Sequence, residues 1–214
     1  MDAPERAEHW EGIYRQRIPS ELSWYQAEPV VSLALLDALG VEPSWPVLDV
    51  GGGASPLASR LVDRGFADVS VLDVSQEALE RARACPGAGV EGVHWLCQDV
   101  LSWRPERSYR VWHDRAVFHF LVDDDQRSAY LTTARAALAP DALVVIGTFA
   151  PEGPESCSGL SVRRYAPGDL EVVFGPGFEV VEHRREEHHT PGGALQVFTW
   201  AAMVYLKGAG APRA

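Results

Sequence analysis

Short apolar runs alternate along this chain with longer stretches whose apolar positions recur every three or four residues. Residues 46–50 (PVLDV), 69–73 (VSVLD), 92–97 (GVHWLC), 110–113 (RVWH) and 143–148 (LVVIGT) read as strands. Helical spacing fills about residues 56–64, 76–85, 125–138 and 167–174. Two further strands, 178–184 and 196–206, follow with no helix between them. The HHTPGGA stretch that joins them reads as the turn of an antiparallel hairpin. Strands that alternate with helices predict an α/β fold, a mostly parallel sheet with helices on both faces. The terminal hairpin then forms one edge of that sheet. The first 45 residues precede strand one and are expected to form a helical cap over the ligand-binding rim. Residues 46–207 are expected to form the main domain, and the Gly/Ala/Pro-rich 208–214 a disordered tail.

The first strand runs into Gly51-Gly52-Gly53 and then into a helix. Glycine loses more backbone entropy on folding than other residues, so three in succession imply a backbone that must come close to something. Ser55 is a suitable N-cap and Pro56 suits the first turn. Leu57, Ala58, Leu61 and Val62 form one apolar stripe, and Gly65 can close the helix in a left-handed conformation. In an open parallel sheet, ligands bind beyond the carboxyl ends of the strands, where this loop lies. Asp73 ends the second strand twenty residues after Gly53. A carboxylate there can accept hydrogen bonds from both hydroxyls of a ribose. Together these features predict a nucleoside-containing cofactor. The dinucleotide pattern needs a small residue where Pro56 stands, which argues against NAD and an oxidoreductase.

VLDVGGGAS resembles the first motif of the class I S-adenosylmethionine-dependent methyltransferases, with Asp49 as the acid two residues before the first glycine. VLDVS, CQDV, VWHDRAVFHF and LVVIGTF resemble that family's later strands, in order along nearly the whole chain. The resemblance implies a Rossmann-like seven-stranded sheet in the order 3-2-1-4-5-7-6 with the last strand pair antiparallel. It implies S-adenosylmethionine as cofactor and S-adenosylhomocysteine as product. On it, Asp49, Gly51, Gly52, Gly53, Asp73, Val74, Asp99 and Val100 become cofactor-site candidates, with Asp99 placed to recognise the adenine amine. HWEGIYRQRIPSELSWYQ, DRAVFHF and SGLSVRRYAPGDLEVVFG are similar to the thiopurine and thiol/halide methyltransferase group. Small protein-lysine methyltransferases share the HW-x-x-x-Y start. That similarity adds Trp10, Trp24 and Arg115 as cofactor-site candidates. It also implies a small-molecule acceptor, with a thiol favoured, or alternatively a protein lysine. Ala116 stands where the thiopurine group has glycine in D-R-G.

Methyl transfer from a sulfonium is an in-line displacement, so alignment carries much of the catalysis. An amine or hydroxyl acceptor also needs a base. Asp114 and His119, on the exit loop of the fourth strand, are the catalytic candidates. Phe118 and Tyr165 are expected to line the acceptor pocket beside His119, and Arg163 and Arg164 to face it. A pocket of that kind would argue against a cofactor-binding module without activity. The His183, Glu186, Glu187, His188, His189 cluster lacks a metal-ligand spacing and reads as a solvated turn. No metal is expected.

The formal net charge of −11 argues against nucleic-acid and anionic-membrane partners. The apolar runs are too short to span a bilayer, and the polar N-terminus resembles no targeting segment. Three cysteines without ligand spacing read as thiols of a reducing cytoplasm. The expected state is a monomer or weak dimer.

Overall fold

The computed structural model describes residues 1–84 and 90–208. Cys85, the expected end of the second main-domain helix, and the tail beyond residue 208 lie outside them. Helix α1 (Ala3–Gln16) opens the chain, followed by a 3-10 turn at Pro19–Glu21 and helix α2 (Val30–Ala38). The main unit then runs β1 (Val47–Val50), α3 (Leu57–Asp63), β2 (Val69–Asp73), α4 (Gln76–Arg83), β3 (His94–Cys97) and β4 (Tyr109–Arg115). It continues through α5 (Asp124–Ala137), β5 (Leu138–Phe149), the short β6 (Ser156–Cys157) and β7 (Leu160–Ser161), and α6 (Asp169–Phe174). It closes with β8 (Phe178–His189) and β9 (Leu195–Tyr205).

Seven strands form one sheet in the order β3-β2-β1-β4-β5-β9-β8, and β6-β7 form a separate hairpin. Pairing is parallel from β3 through β5, while β9 runs antiparallel to both of its neighbours. This is the expected order once the small β6-β7 hairpin is set aside. The central strands are apolar on both faces because helices cover both. Every residue of β1 and β2 is buried. One core contains Trp112, Phe118, Tyr130, Ile146 and Phe174; the other contains Leu35, Leu36, Leu57, Leu61, Phe149, Phe198 and Trp200.

Two expectations change at the edges. The histidine cluster is no turn: β8 extends to His189 and only residues 190–194 turn the chain. Alternation along β8 buries Glu186 and His188 and exposes Glu187 and His189, as strand geometry requires. Their inward direction brings them against Arg115 and the segment before α2. At α3, Pro56 takes the N-cap place and Ser55 supports it from outside, its Oγ accepting from the Leu57 N–H at 3.2 Å. No described helix is long and apolar enough to cross a membrane.

Candidate functional site

The loop after β1 folds as tightly as its composition predicts. Gly51 and Gly53 have φ of 64° and 43°, in the left-handed region that side chains disfavour. A Cβ on Gly51 would lie 2.0 Å from Val117 Cγ2. One on Gly52 would lie 2.5 Å from Asp49 Oδ2, and one on Gly53 2.6 Å from the Tyr14 hydroxyl. Each glycine is therefore required by space, and Gly51 and Gly53 also by conformation.

Beside this loop, at the carboxyl ends of the parallel strands, lies a cleft with about 910 Å³ of atom-free space, open mouth included. That falls within the size range of small-molecule sites. Trp10, Trp24, Gly51, Asp73, Val74, Asp99, Val100 and Arg115 line it. Asp49 and Gly52 instead face a neighbouring recess of about 560 Å³ that shares Tyr14, Trp24, Gly51 and Arg115 with the cleft. Gly53 lines neither and meets Tyr14 and Asp73.

Asp73 is nearly sealed, and its Oδ1 accepts from the Ser75 N–H at 2.9 Å. Burial raises its pKa from the ordinary 3.8 to about 7, and the Asp49 carboxylate adds to the rise. Such a carboxylate gains from any donor that enters the cleft. Asp99 is already engaged. Its Oδ2 accepts from Arg6 Nε and Nη2 at 3.0 and 2.5 Å, and its Oδ1 from the Leu101 N–H at 2.9 Å. An adenine amine directed at this carboxylate would share it with Arg6.

Helix α1 forms the outer wall. Arg6, Trp10 and Tyr14 recur every four residues on one of its faces and all line the cleft. Trp10 meets Trp24 and Phe120 edge-on, with centroids 5.8 and 5.1 Å apart. Glu11 ties α1 to the start of α4, accepting from Ser75 Oγ at 2.5 Å and the Glu77 N–H at 3.1 Å. The sequence reading missed Arg6, although its spacing from Trp10 and Tyr14 was a usable signal.

At the inner end Arg115 is held on three sides. Its Nη1 donates to the Trp24 carbonyl at 3.1 Å, its Nη2 faces Glu186 Oε1 at 3.5 Å, and its guanidinium lies 4.5 Å from the Phe198 ring centroid. Glu186 also accepts from Gln26 Nε2 at 2.6 Å and Trp200 Nε1 at 2.9 Å. Arg115 Nε is buried without a protein partner. The next residue, Ala116, has φ of 72°, so this alanine adopts the left-handed turn that the thiopurine group's glycine would take. Phe120, Phe149, Cys157 and Phe198 complete this end. Nothing in the local sequence marked the last three, because they arrive from β5, β6 and β9.

The structure does not bring the two catalytic candidates to the cleft. Asp114 is fully buried and staples its own loop, accepting from the Val117 N–H at 2.9 Å and the Tyr130 hydroxyl at 2.6 Å. His119 points into the core. Its Nδ1 accepts from the Phe149 N–H at 3.3 Å, and burial, with Arg115 nearby, lowers its pKa to about 3. A group this hard to protonate stays neutral throughout the physiological range. In His119→Gln, the pH dependence of turnover between about pH 6 and 9 should therefore keep the wild-type shape. An inflection lost in the variant would restore His119 as a base. Phe118 and Tyr165 pack on each other in the core, with centroids 5.6 Å apart. Arg163 gives its backbone N–H to the His119 carbonyl, while Arg164 pairs with Glu155. None of these four lines the cleft. Among the described residues no cluster of His, Cys, Asp and Glu could hold a metal ion.

S-adenosylmethionine fits these features. The glycine cradle admits a ligand against bare backbone, Asp73 waits for hydroxyl donors, and Arg115 Nε lacks an acceptor. Residues 47–141 match the family model described as a methyltransferase domain. EEF1A lysine methyltransferase 2 of Danio rerio is 23% identical over 201 residues, 87% of this chain and 80% of that protein. The eEF1A lysine and N-terminal methyltransferase of Mus musculus is 24% identical over 123 residues, 56% of this chain and 17% of that protein. Among solved structures, the one reported for conversion of a disulfide bond into a thioacetal group during echinomycin biosynthesis superposes with a TM-score of 0.74 at 20% identity, covering 95% of this chain and 94% of that one. A SAM-dependent methyltransferase from Anabaena variabilis superposes with a TM-score of 0.70 at 18% identity, covering 93% and 94%. The glycine cradle, the buried acid that ends β2, the strand order and these likenesses support one reading: an S-adenosylmethionine-dependent enzyme whose residues 47–141 match a methyltransferase domain.

Proposed function

We propose that this enzyme methylates a small molecule through a soft nucleophile, with a thiol as the first choice. The observation that carries this reading is the charge at the inner end of the cleft. Among the described residues, the only charged side chain lining that end is the Arg115 guanidinium, between Phe120, Phe149 and Phe198. The acids that line the cleft, Asp73 and Asp99, belong to the nucleoside end. A guanidinium favours a thiolate and disfavours an ammonium. A thiolate also needs no base, which agrees with the sealed positions of Asp114 and His119.

When bound, the cofactor supplies an activated methyl group. The chain's own residues have simpler tasks. Asp73 accepts from the ribose, and the loop at Gly51 lets the ligand lie against backbone. Trp10 and Trp24 shut water out. Arg115, braced by Glu186 and the Trp24 carbonyl, offers its free Nε–H to the cofactor and sets the charge of the inner end where the acceptor enters. Residues 1–45 then act as the cap and 46–207 as the catalytic unit. The setting is a reducing cytoplasm, with no nucleic-acid partner and a monomer or weak dimer as the working state.

One observation favours a protein lysine instead: a Danio rerio relative that this chain covers over most of its length is a lysine methyltransferase. The net charge of −11 would suit a basic target segment. Radiolabelled cofactor separates the two readings. Label in small thiols, with a rate that rises as the thiol ionises, is the expected result. Label that appears only in extract protein and survives as methyl-lysine would replace the first reading with the second.

A further inference from the structure

Arg115 meets a carboxylate that stands behind it rather than in the cleft. Among the described residues only Glu186 pairs with Arg115, at 3.5 Å, and the two side chains are 10% and 6% exposed for Arg115 and Glu186. Arg115 lines the cleft and Glu186 does not. The register of the last two strands sets this order. Glu186 on β8 is the partner of Phe198 on β9, and Trp200 follows on the same face. The guanidinium therefore has the Phe198 ring on one side and Glu186 on another. Neutral donors hold the carboxylate in place, Gln26 Nε2 at Oε1 and Trp200 Nε1 at Oε2. Burial lowers the pKa of Arg115, and Glu186 acts against that fall. Burial also raises the pKa of Cys157 and lowers those of His119 and His188, so these neighbours stay uncharged near neutrality. Arg115 and Glu186 are the opposed charges of this end.

We infer that Glu186 is a positioning residue that offsets the charge of Arg115, so that the inner end receives a cationic methyl donor and an anionic acceptor together. This role rests on the thiol reading above, in which the acceptor enters at the inner end. In-line transfer then requires the sulfonium to face the same end, because the methyl group lies between the two sulfurs. An uncompensated guanidinium would oppose that sulfonium. It would also stabilise the thiolate before reaction more than in the transition state, where thiolate and sulfonium charges cancel. The thiolate would bind more tightly and react more slowly. With Glu186 behind it, Arg115 keeps its hydrogen-bonding direction, while the field of the pair falls off faster than that of a lone cation. The step remains a simple exchange. The acceptor sulfur gains a bond to the methyl carbon, the donor's sulfur–methyl bond breaks, and its electron pair stays on the donor sulfur as a neutral thioether.

Binding without any acceptor tests the charge balance. S-adenosylmethionine and S-adenosylhomocysteine differ by a methyl group and a positive charge at sulfur, so the ratio of their affinities reports the field there. Glu186→Gln, which can still accept from Trp200, should weaken S-adenosylmethionine relative to S-adenosylhomocysteine by roughly tenfold. Arg115→Gln leaves Glu186 unopposed and should shift the ratio the other way, and the double variant should restore it. A merely structural contact gives no such opposed shifts, and either single variant decides the matter if the other fails to fold. Gln26→Ala removes a neutral partner of the same carboxylate and should leave the ratio unchanged. In turnover with a small thiol at fixed pH, Glu186→Gln should lower both KM and kcat. A ratio unmoved by Glu186→Gln, shifts of one sign in both single variants, an equal shift in Gln26→Ala, or a raised KM overturns the charge balance. Opposed shifts in an enzyme that methylates no thiol would overturn the thiol reading and leave the charge balance standing. Failure of the wild type to bind either ligand would overturn the cofactor assignment, and the charge balance with it.

Discussion

Asp73→Asn is expected to make the empty protein more stable while removing most of its cofactor affinity. The empty site prefers a protonated carboxyl, because burial holds the Asp73 pKa near 7 against an ordinary 3.8. A raised acid pKa contributes stability that is full below the unfolded-state value and is lost as pH rises through the folded one. Above neutrality the charged form costs the empty protein about 4 kcal/mol. An asparagine keeps an acceptor for the Ser75 N–H and carries no charge. At about pH 8 the variant should therefore unfold later than the wild type, and the gain should vanish by about pH 4. Binding moves the other way, since each charge-assisted hydrogen bond to a ribose hydroxyl contributes roughly 1.5–3 kcal/mol. Losing two lowers affinity for S-adenosylhomocysteine at least ~100-fold. Wild-type affinity should itself rise from about pH 6 to pH 8 as the carboxyl ionises. Melting curves at both pH extremes and a calorimetric titration decide it: an Asn variant no more stable at the higher pH, or one that still binds tightly, contradicts the assignment.

Gly51→Ala should be the most damaging single methyl group in the cradle. The left-handed backbone at φ 64° costs a non-glycine residue about 1–2 kcal/mol. The added carbon would also sit 2.0 Å from Val117 Cγ2, and overpacking of this kind costs about 1–3 kcal/mol. Together these lower stability by roughly 2–5 kcal/mol. The loop can escape only by moving out of the line in which it meets the cofactor, so affinity should fall as well. A double variant, Gly51→Ala with Val117→Ala, removes the collision and leaves the backbone cost. Denaturant unfolding should show that Val117→Ala harms the Gly51→Ala variant less than it harms the wild type. Strictly additive losses would mean that the two residues do not press on one another.

The parts legible in the sequence are those in which one segment carries both pattern and consequence. The glycine run, the strand that ends in Asp73 and the order of the strands are local signals, and the fold returns each of them. Trp10 and Trp24 were marked by resemblance, and both line the cleft. The expectations that changed concern direction, which a sequence does not print. Asp114 lies within β4 rather than on its exit loop, and His119 in the 3-10 turn that follows; both point inward, where Tyr130 and Phe149 meet them. Glu186 and His188 read as a turn only if the strand stops at 184, and polar residues such as Arg185 and Glu187 on the exposed face of β8 hide its continuation. Once the strand extends to His189, alternation alone turns them toward Arg115. The Asp49–His113 contact follows from the pairing of two strands that lie 64 residues apart, a register no local pattern reveals.

The strap formed by α1 has a consequence in time as well as in space. Glu11 waits for Ser75, 64 residues further along, and Arg6 for Asp99, 93 residues further along. Trp10 needs Phe120, which follows later still. During synthesis α1 therefore leaves the ribosome long before any surface exists to receive it. Contacts so distant in sequence are slow to form, because the intervening loop must close before they return any energy. The outer wall of the cleft is thus made before every surface that holds it, and its docking waits at least for Phe120. A nascent chain therefore finishes the cradle and its wall together, since Gly51 packs on Val117 and Gly53 meets Tyr14 of α1.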